Sequence, residues 1–273
     1  MPDSVPNAGQ NGVRATPSVP AVEPVLTKRQ RMMNESIPLS SALEVWELTK
    51  TFGNNRALRG INLQVAYGDF LIIFGPNGAG KTTLLKILAT IMKPSSGEVR
   101  IGGLDLKKDT EEIRQRIGVV SHQTFLYNNL TARENLEFYS RMYDVAEAGQ
   151  RIHEVVNTVG MATRLNDRVG TLSRGMQQRF SIARALLHNP DIMFLDEPET
   201  GLDQEALPML WQSLQNEGQG KRTIVMATHN LERGLELGNR LVILSGGKIV
   251  HEQTGADSDL STLRKVYEET TKQ

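Results

Sequence analysis

The sequence contains no cysteine among its 273 residues. This absence excludes disulfide bonds, thiolate nucleophiles and zinc sites that use cysteine ligands. It also has no apolar run close to the length of about 20 residues that a membrane-spanning helix needs. The longest runs, such as 70–74 and 241–244, have the length of strands. The first residues lack the pattern of a signal peptide, so any role at a membrane is expected to depend on a partner.

An excess of charge of either sign is absent as well, because 31 lysines and arginines are balanced by 31 aspartates and glutamates. Proteins that bind nucleic acids usually show a basic excess. No nucleic-acid partner is therefore expected. The hydrophobic fraction of 39% and the charged fraction of 23% are typical of a globular domain.

Residues 1–38 are rich in proline, serine, asparagine and glycine and show no hydrophobic periodicity. This composition predicts a disordered N-terminal tail, and Met32 or Met33 near its end is an alternative start. The ordered pattern covers 43–252, and residues 253–273 are predicted to form a short C-terminal extension. The sequence thus predicts one main domain with two short flanking segments.

The hydrophobic pattern inside the main domain changes between β and α periods. Alternating apolar residues at 43–45 and 61–65 predict half-buried strands, whereas the continuous run 70–74 predicts a strand buried on both faces. Helical spacing follows at 81–92 and dominates at about 125–190, after which strand-like runs return. This order predicts an α/β fold with a layered sheet core and a helical subdomain.

Two helix starts are visible inside the predicted helical subdomain. Thr131 is followed three residues later by Glu134, which is the spacing of a capping box. Ser173 is placed to cap a second helix that runs to about His188. Apolar residues follow on one face of the first helix, namely Leu136, Tyr139, Met142 and Tyr143.

A glycine-rich segment joins the buried strand to the next helix. It consists of Gly75, Pro76, Asn77, Gly78, Ala79, Gly80, Lys81, Thr82 and Thr83. Its first eight residues match the phosphate-loop pattern G-x-x-x-x-G-K-[ST]. Glycines let backbone N–H groups approach phosphate oxygens, and the helix that begins at Lys81 directs its positive end at the anion. Lys81 is expected to contact the β- and γ-phosphates, and the Thr82 hydroxyl to bind Mg²⁺.

The alternative for this segment is a glycine-rich connecting loop without a ligand. The buried strand before it and the helix after it favour the phosphate site.

A second apolar run, 192–195, ends in the adjacent carboxylates Asp196 and Glu197. In open α/β sheets, ligands collect at the carboxyl ends of the strands. Asp196 is therefore expected to hold Mg²⁺ beside the phosphate loop, and Glu197 to polarise the water that attacks the γ-phosphate. The alternative is an exposed Asp-Glu pair at a strand end, which the phosphate loop disfavours.

Residues 172–179, Leu-Ser-Arg-Gly-Met-Gln-Gln-Arg, resemble the signature of ABC ATPases, whose usual form is L-S-G-G-Q-Q-Q-R. Asp203 resembles the D-loop aspartate, His229 the switch histidine, and Phe52 the aromatic residue that stacks on adenine. These elements occur in family order over about 43–252. Taken alone, each has a plain alternative, because a cap serine, a surface histidine or a core phenylalanine would look the same.

The resemblance implies a P-loop NTPase of the ABC type that binds ATP and Mg²⁺ and hydrolyses ATP. It implies a homodimer or pseudo-dimer around ATP, in which Ser173 and Gly175 contact the γ-phosphate held by the other subunit. The dimer would drive a separate integral membrane transporter subunit at the cytoplasmic face of the cell membrane. The candidate contact for that subunit is 124–131, with Phe125, Leu126 and Tyr127; ordinary core packing is the alternative.

Two places depart from the usual family pattern. The glutamine that contacts Mg²⁺ and faces the membrane partner corresponds to His122 or to Gln123, and the sequence leaves the choice open. Arg174 and Met176 replace the usual glycine and glutamine of the signature. With these departures the chain is most similar to the ATP-binding protein of the haem exporter in cytochrome c biogenesis, which implies haem export.

A soluble ABC ATPase of a cytosolic assembly system, with no transport role, is the main alternative. DNA-repair members typically carry long coiled coils and translation members two ATPase halves, and neither pattern is visible. An inactive homologue is a third interpretation, raised by Arg174 and Met176. Against it stands the presence of every residue expected to hold nucleotide or activate water.

Overall fold

The computed structural model of the chain describes residues 41–200, 202, 206–215, 222–254 and 260–271, and within them ten β-strands form two sheets. The strands are β1 Ser41–Phe52, β2 Asn55–Ala66, β3 Phe70–Phe74, β4 Ser96–Ile101, β5 Leu104–Asp105, β6 Ile117–Val120, β7 Ile192–Asp196, β8 Thr223–Ala227, β9 Arg240–Ser245 and β10 Lys248–Thr254. The first sheet is antiparallel, with the order β2-β1-β4-β5. The second has the order β10-β9-β3-β8-β7-β6 and is parallel except for β10.

The six-stranded sheet lies between two hydrophobic cores. Every residue of β3, β7 and β8 is buried, as expected of parallel strands that are covered on both faces. Ile72 and Phe74 pack into one core with the helices of the predicted helical subdomain, whereas Leu71 and Ile73 pack into the other. Since these strands are parallel neighbours, their carboxyl ends meet at one edge of the sheet.

Eight α-helices lie within the described residues. They are α1 Lys81–Leu88, α2 Thr110–Arg116, α3 Ala132–Met142, α4 Ala148–Thr158, α5 Arg174–Leu186, α6 Ala206–Gln215, α7 Leu231–Leu237 and α8 Leu260–Thr271. Two short 3₁₀ helices, Ala162–Arg164 and Val169–Thr171, stand between α4 and α5. None of the described helices combines the length and the apolarity needed to cross a bilayer.

Helix α1 is shorter than its hydrophobic spacing predicts. The spacing predicts a helix over 81–92, but the helix ends at Leu88. Thr90 adopts a left-handed conformation with φ 60°, and the N–H groups of Ile91 and Met92 both donate to the Lys86 carbonyl. The chain therefore turns away one helical turn earlier than expected.

The predicted layered α/β core and its helical part are confirmed. The capping box at the start of α3 is present, because the Glu134 N–H donates to Thr131 Oγ1 at 3.1 Å and the Thr131 N–H donates to Glu134 Oε2 at 2.7 Å. Ser173 caps α5 as predicted. The predicted tail 1–38 lies outside the described residues, and the domain boundaries stay predictions.

Candidate functional site

The phosphate-loop segment lies between β3 and α1, at the carboxyl edge of the six-stranded sheet. A Cβ atom on Gly75 would stand 2.1 Å from the Leu244 carbonyl oxygen, and one on Gly80 would stand 2.6 Å from the Ala57 carbonyl oxygen. These contacts explain why glycine is needed at both positions. Asn77 and Gly78 form the exposed part of the loop, while Ala79 is buried below it.

Lys81 is buried, and its ammonium group is held by the loop itself. Its Nζ donates to the Gly75 carbonyl at 2.6 Å and to the Pro76 carbonyl at 3.2 Å. Burial lowers the pKa of Lys81, and the nearby carboxylates of Glu197 and Asp196 oppose that shift. The lysine thus lies at the centre of the loop with two acidic side chains close by.

Thr82 and Asp196 come together from α1 and from the end of β7. Thr82 Oγ1 donates to Asp196 Oδ1 at 3.1 Å. Burial raises the pKa of Asp196, and the Thr82 hydrogen bond and the charge of His122 oppose the rise. Two oxygen ligands of this kind suit Mg²⁺, which takes few protein ligands and completes its shell with water and phosphate oxygens. The described residues contain no group of three or more acidic or histidine side chains that could hold a metal on its own.

Glu197 follows Asp196 in a left-handed conformation, with φ 48°. Its N–H donates to the Ala227 carbonyl at 3.0 Å, which extends the β7–β8 pairing by one bond. Its carboxylate oxygen Oε1 lies 3.4 Å from His229 Nδ1, and the imidazole of His229 is largely exposed. The strand end therefore presents a carboxylate and an imidazole side by side.

His122 and Gln123 are both exposed after the end of β6. His122 is near enough to influence Asp196 electrostatically, whereas Gln123 shares a small crevice with Asp196. Ser121 fixes the backbone between them, because its hydroxyl donates to the Gln123 carbonyl at 2.9 Å and accepts from the Gln123 N–H at 3.2 Å. The choice between the two residues stays open.

The remaining predicted residues lie around this centre. Phe52 is 45% exposed, with the Lys50 ammonium 5.1 Å from its ring centre, so the alternative of a core phenylalanine is wrong. Ser173 Oγ accepts the Met176 N–H at 3.3 Å and is exposed at the start of α5, next to Gly175. Thr83 lies in the first turn of α1. Asp203 lies outside the described residues.

Arg184, a buried cation on α5, was not predicted from the sequence. Its Nη2 donates to the Val119 carbonyl at 2.6 Å, and its guanidinium lies 5.3 Å from the ring centres of both Phe125 and Tyr139. The Tyr139 hydroxyl in turn donates to the Phe125 carbonyl at 2.5 Å. Its place inside an apolar helix pattern offered no signal, since arginine is rarely buried.

Asn135 was missed for a similar reason. It is fully buried on α3. Its Oδ1 accepts the Tyr127 N–H at 2.7 Å, and its Nδ2 donates to the carbonyls of Tyr127 and Thr131 at 3.1 and 2.9 Å. The Asn135 side chain therefore holds the backbone of the segment 124–131 at two positions, Tyr127 and Thr131.

Comparison with known proteins gives consistent matches over this region. Residues 58–200 match the family described as ABC transporter. The chain is 37% identical over 199 residues to the ABC transporter ATP-binding protein NatA of Bacillus subtilis, a match that covers 72% of this chain and 81% of that protein. It is 32% identical over 224 residues to the daunorubicin resistance ATP-binding protein DrrA3 of Streptomyces coeruleorubidus, covering 81% and 71%.

A Nod factor export ATP-binding protein of Paraburkholderia xenovorans is 34% identical over 222 residues, covering 81% of this chain and 72% of that protein. Among solved structures, the dimeric post-hydrolysis state of the ATP-binding cassette MJ0796, bound to ADP and Pi, superposes with a TM-score of 0.71 at 32% identity. That match covers 78% of this chain and 98% of MJ0796. The predicted fold class is confirmed by these likenesses.

Proposed function

The chain belongs to the ABC transporter family of ATP-binding, ATP-hydrolysing proteins, and on that premise we propose that it powers a separate membrane subunit of an export system. The observation that carries the ATPase part of the proposal is the pairing of Thr82 with Asp196 at 3.1 Å beside the phosphate loop. The Thr82 hydroxyl and the Asp196 carboxylate lie beside Lys81, where its ammonium group would reach the phosphates of a bound nucleotide. This is the arrangement that ATP with a divalent metal requires.

The residues divide into three roles. Residues 75–83 bind the phosphates, with Lys81 supplying the positive charge, and Phe52 stacks on the adenine. Thr82 and Asp196 would hold Mg²⁺, which would supply positive charge to the phosphates of the nucleotide. His122 or Gln123, after the end of β6, would be the further residue on that side of the site.

Glu197 is the residue proposed to activate water. Its carboxylate stands just beyond the strand end and contacts His229 at 3.4 Å, so the imidazole keeps it oriented. A carboxylate within reach of the attacking water takes its proton as the new bond to the γ-phosphorus forms and the bond from that phosphorus to the ADP leaving group breaks.

Dimerisation around ATP is proposed because Ser173 and Gly175 face solvent or lie partly exposed at the N-terminus of α5. Backbone N–H groups at a helix start bind anions. An ATP molecule held by the phosphate loop of a second copy of the chain would place its γ-phosphate here and accept hydrogen bonds from these N–H groups. The dimeric cassette MJ0796, similar over 78% of the chain, supports this assembly.

The membrane partner is proposed to contact residues 124–131 from the cytoplasmic face. Within this segment Phe125 and Leu126 are partly buried, whereas Tyr127 is 52% exposed. Core packing thus accounts for only part of the segment. Similar proteins named for daunorubicin resistance and Nod factor export support export as the direction of transport.

Haem remains a second hypothesis for the cargo, favoured by the departures at His122 and Arg174. Deleting the gene in its native host separates the cargo hypotheses. Loss of covalently attached haem in c-type cytochromes, measured by haem staining, is expected only if the chain serves haem export. Unchanged cytochromes with a raised sensitivity to an amphiphilic drug would contradict haem export and support drug export.

The catalytic proposal is tested with Glu197→Gln. The variant is expected to bind ATP and to form a dimer in the presence of ATP, as measured by analytical sedimentation. Its ATP turnover should fall by about 10²- to 10⁴-fold, because the attacking water loses its general base. Glu236→Gln, on an exposed carboxylate of α7, is the matched control and should keep wild-type turnover. Equal hydrolysis by Glu197→Gln and wild type would remove Glu197 from this role.

The partner proposal is tested by purification of the tagged chain from native membranes extracted with detergent. Recovery of a stoichiometric integral membrane protein is expected. A tagged chain found only with cytosolic proteins would favour the alternative of a soluble assembly ATPase.

A further inference from the structure

A cavity of about 470 Å³ lies between the loop after β6 and the first turns of α5. One wall comes from the loop and the other from the helix. Its lining residues are His122, Gln123, Thr124, Phe125, Leu126, Asn128, Arg174, Gln177 and Gln178. Two of the positions at which the sequence departs from the usual ABC pattern, His122 and Arg174, therefore face the same space.

The lining of this cavity has a one-sided charge. It carries one guanidinium, one imidazole and four carboxamides, and no carboxylate is among the described residues that line it. Arg174 is exposed at the first position of α5. Its side chain makes no hydrogen bond or ion pair with any described residue. A guanidinium without a partner in a concave site is complementary to a carboxylate, with which it forms two parallel hydrogen bonds.

The surface beside the cavity is apolar. Tyr127, between the lining residues Leu126 and Asn128, is 52% exposed and packs edge-on against Phe138 with 5.4 Å between ring centres. Phe138 is 38% exposed, and Met142, one turn further along α3, is 58% exposed. Exposed aromatic and methionine side chains grouped in this way are typical of protein contacts.

The shape of this surface is set before any partner arrives. Asn135 bonds both the N–H and the carbonyl of Tyr127, and the Tyr139 hydroxyl bonds the Phe125 carbonyl. A surface held in this way loses little conformational entropy on binding.

We infer that the membrane subunit contacts this chain through an amphipathic segment that places an aspartate or glutamate side chain in the cavity against Arg174. Its apolar side chains rest on Tyr127, Phe138 and Met142. The inference rests on the proposed function and adds the chemistry of the contact. The carboxylate on the partner pairs with the arginine that replaces the usual glycine of the signature.

The inference is tested by the binding of the purified full chain to inside-out membrane vesicles. The vesicles come from a strain of the native host in which the gene for this chain has been deleted. Arg174→Glu is expected to weaken binding by about tenfold or more, since charge repulsion replaces a partly desolvated ion pair. Arg174→Lys should weaken it less, because lysine keeps the charge but loses the two-pronged geometry. Lys248→Glu, on exposed β10 at the opposite edge of the sheet from β6, is the control and should bind like wild type.

Misfolding does not confuse this result, because an acidic residue in the first turn of a helix is favourable, and near-UV circular dichroism checks the fold. A photo-crosslinking side chain at Asn128 then identifies the contacting membrane peptide. Changing its carboxylate to arginine should restore binding of Arg174→Glu.

The outcomes separate the two proposals. No binding of the wild type to the vesicles contradicts the proposed function. Equal binding of the wild type and Arg174→Glu overturns the inference alone, as does crosslinking to lipid only or to a membrane peptide without an acidic residue.

Discussion

Gly75 is the position at which the phosphate loop should tolerate an added methyl group least. The Cβ of Gly75→Ala would stand 2.1 Å from the Leu244 backbone oxygen, whereas Cβ atoms essentially never come closer than 3.0 Å to a heavy atom. Leu244 belongs to β9, which is paired with β3 up to Phe74 and Ile243. The clash is with backbone, so relief requires the strand or the loop to move by about 1 Å, and close-packed interiors resist such shifts.

The expected cost follows from two terms. An L-residue at positive φ costs about 1–2 kcal/mol, and forcing an extra methyl into a packed site costs about 1–3 kcal/mol. Gly75→Ala should therefore lower the free energy of unfolding by about 2–5 kcal/mol, a large part of the about 5–15 kcal/mol typical of a domain. Gly78→Ala is the matched control, because Gly78 also has positive φ (81°) but nothing lies within 4 Å of its Cβ.

Urea unfolding of the two variants without nucleotide, followed by circular dichroism, isolates the clash. Gly78→Ala should lose only the backbone term of about 1–2 kcal/mol. Gly75→Ala should lose about 1–3 kcal/mol more and bind ATP more weakly, since the Gly75 carbonyl also holds Lys81. Equal stabilities of the two variants would refute the steric argument.

Two further predictions concern a half-buried and a fully buried polar side chain, His188 and Asn135, in the helical part. Burial lowers the pKa of His188 from 6.5 to about 4. As the pH falls, the imidazole therefore takes up a proton in the unfolded chain before it does so in the folded one. The free energy of unfolding should drop by about 3 kcal/mol between pH 6.5 and 4. His188→Phe should flatten this profile in urea titrations while exposed His153→Gln keeps it, and an unchanged slope in His188→Phe would contradict the assignment. Asn135→Leu should cost about 2–4 kcal/mol by the same assay because Tyr127 loses both backbone partners, whereas exposed Asn157→Leu should stay within about 0.5 kcal/mol; equal losses would contradict it.

The elements that the sequence predicted well are those set by local chemistry. A continuous apolar run before a glycine-rich loop left little choice but a buried strand at 70–74, and the structure buries every residue of it. Thr131 and Glu134 satisfy each other's orphan N–H groups within one turn. Neither feature needs a distant part of the chain to specify it.

The elements that the sequence missed are set by distant contacts. Helix α1 stops at Leu88, and Thr90, in its left-handed conformation, is bonded by Arg114 Nε at 2.9 Å from a helix 24 positions away. Hydrophobic spacing carries no record of such a bond. Met142 shares the apolar period of α3 with buried Leu136, yet it is 58% exposed because no described element covers that side of the last turn.

The candidate site shows the same division. Adjacent positions in the sequence place Asp196 beside Glu197, and a strand–loop–helix pattern places Lys81 and Thr82. The pairing of Glu197 with His229 depends instead on the parallel register of β7 and β8, which aligns Asp196 with Ala227 two residues before the histidine. Register of this kind is fixed by packing between strands, so spacing along the chain could predict the residues but not their contact.

The loop after β6 joins the proposed metal end of the site to the cavity. In its first part, His122 acts electrostatically on the Asp196 carboxylate. In its later part, the Phe125 ring contacts the Arg184 guanidinium, and the Phe125 carbonyl accepts a hydrogen bond from the Tyr139 hydroxyl. Arg184 on α5 also donates to the Val119 carbonyl near the end of β6, so β6, the loop after it and α5 all contact one buried cation. Because closely packed groups of this kind move together, a shift of the loop at Asp196 displaces the wall of the cavity that carries Phe125. If the proposed nucleotide and the proposed membrane partner bind at the two ends of this loop, each is expected to influence the other through the position of residues 121–127.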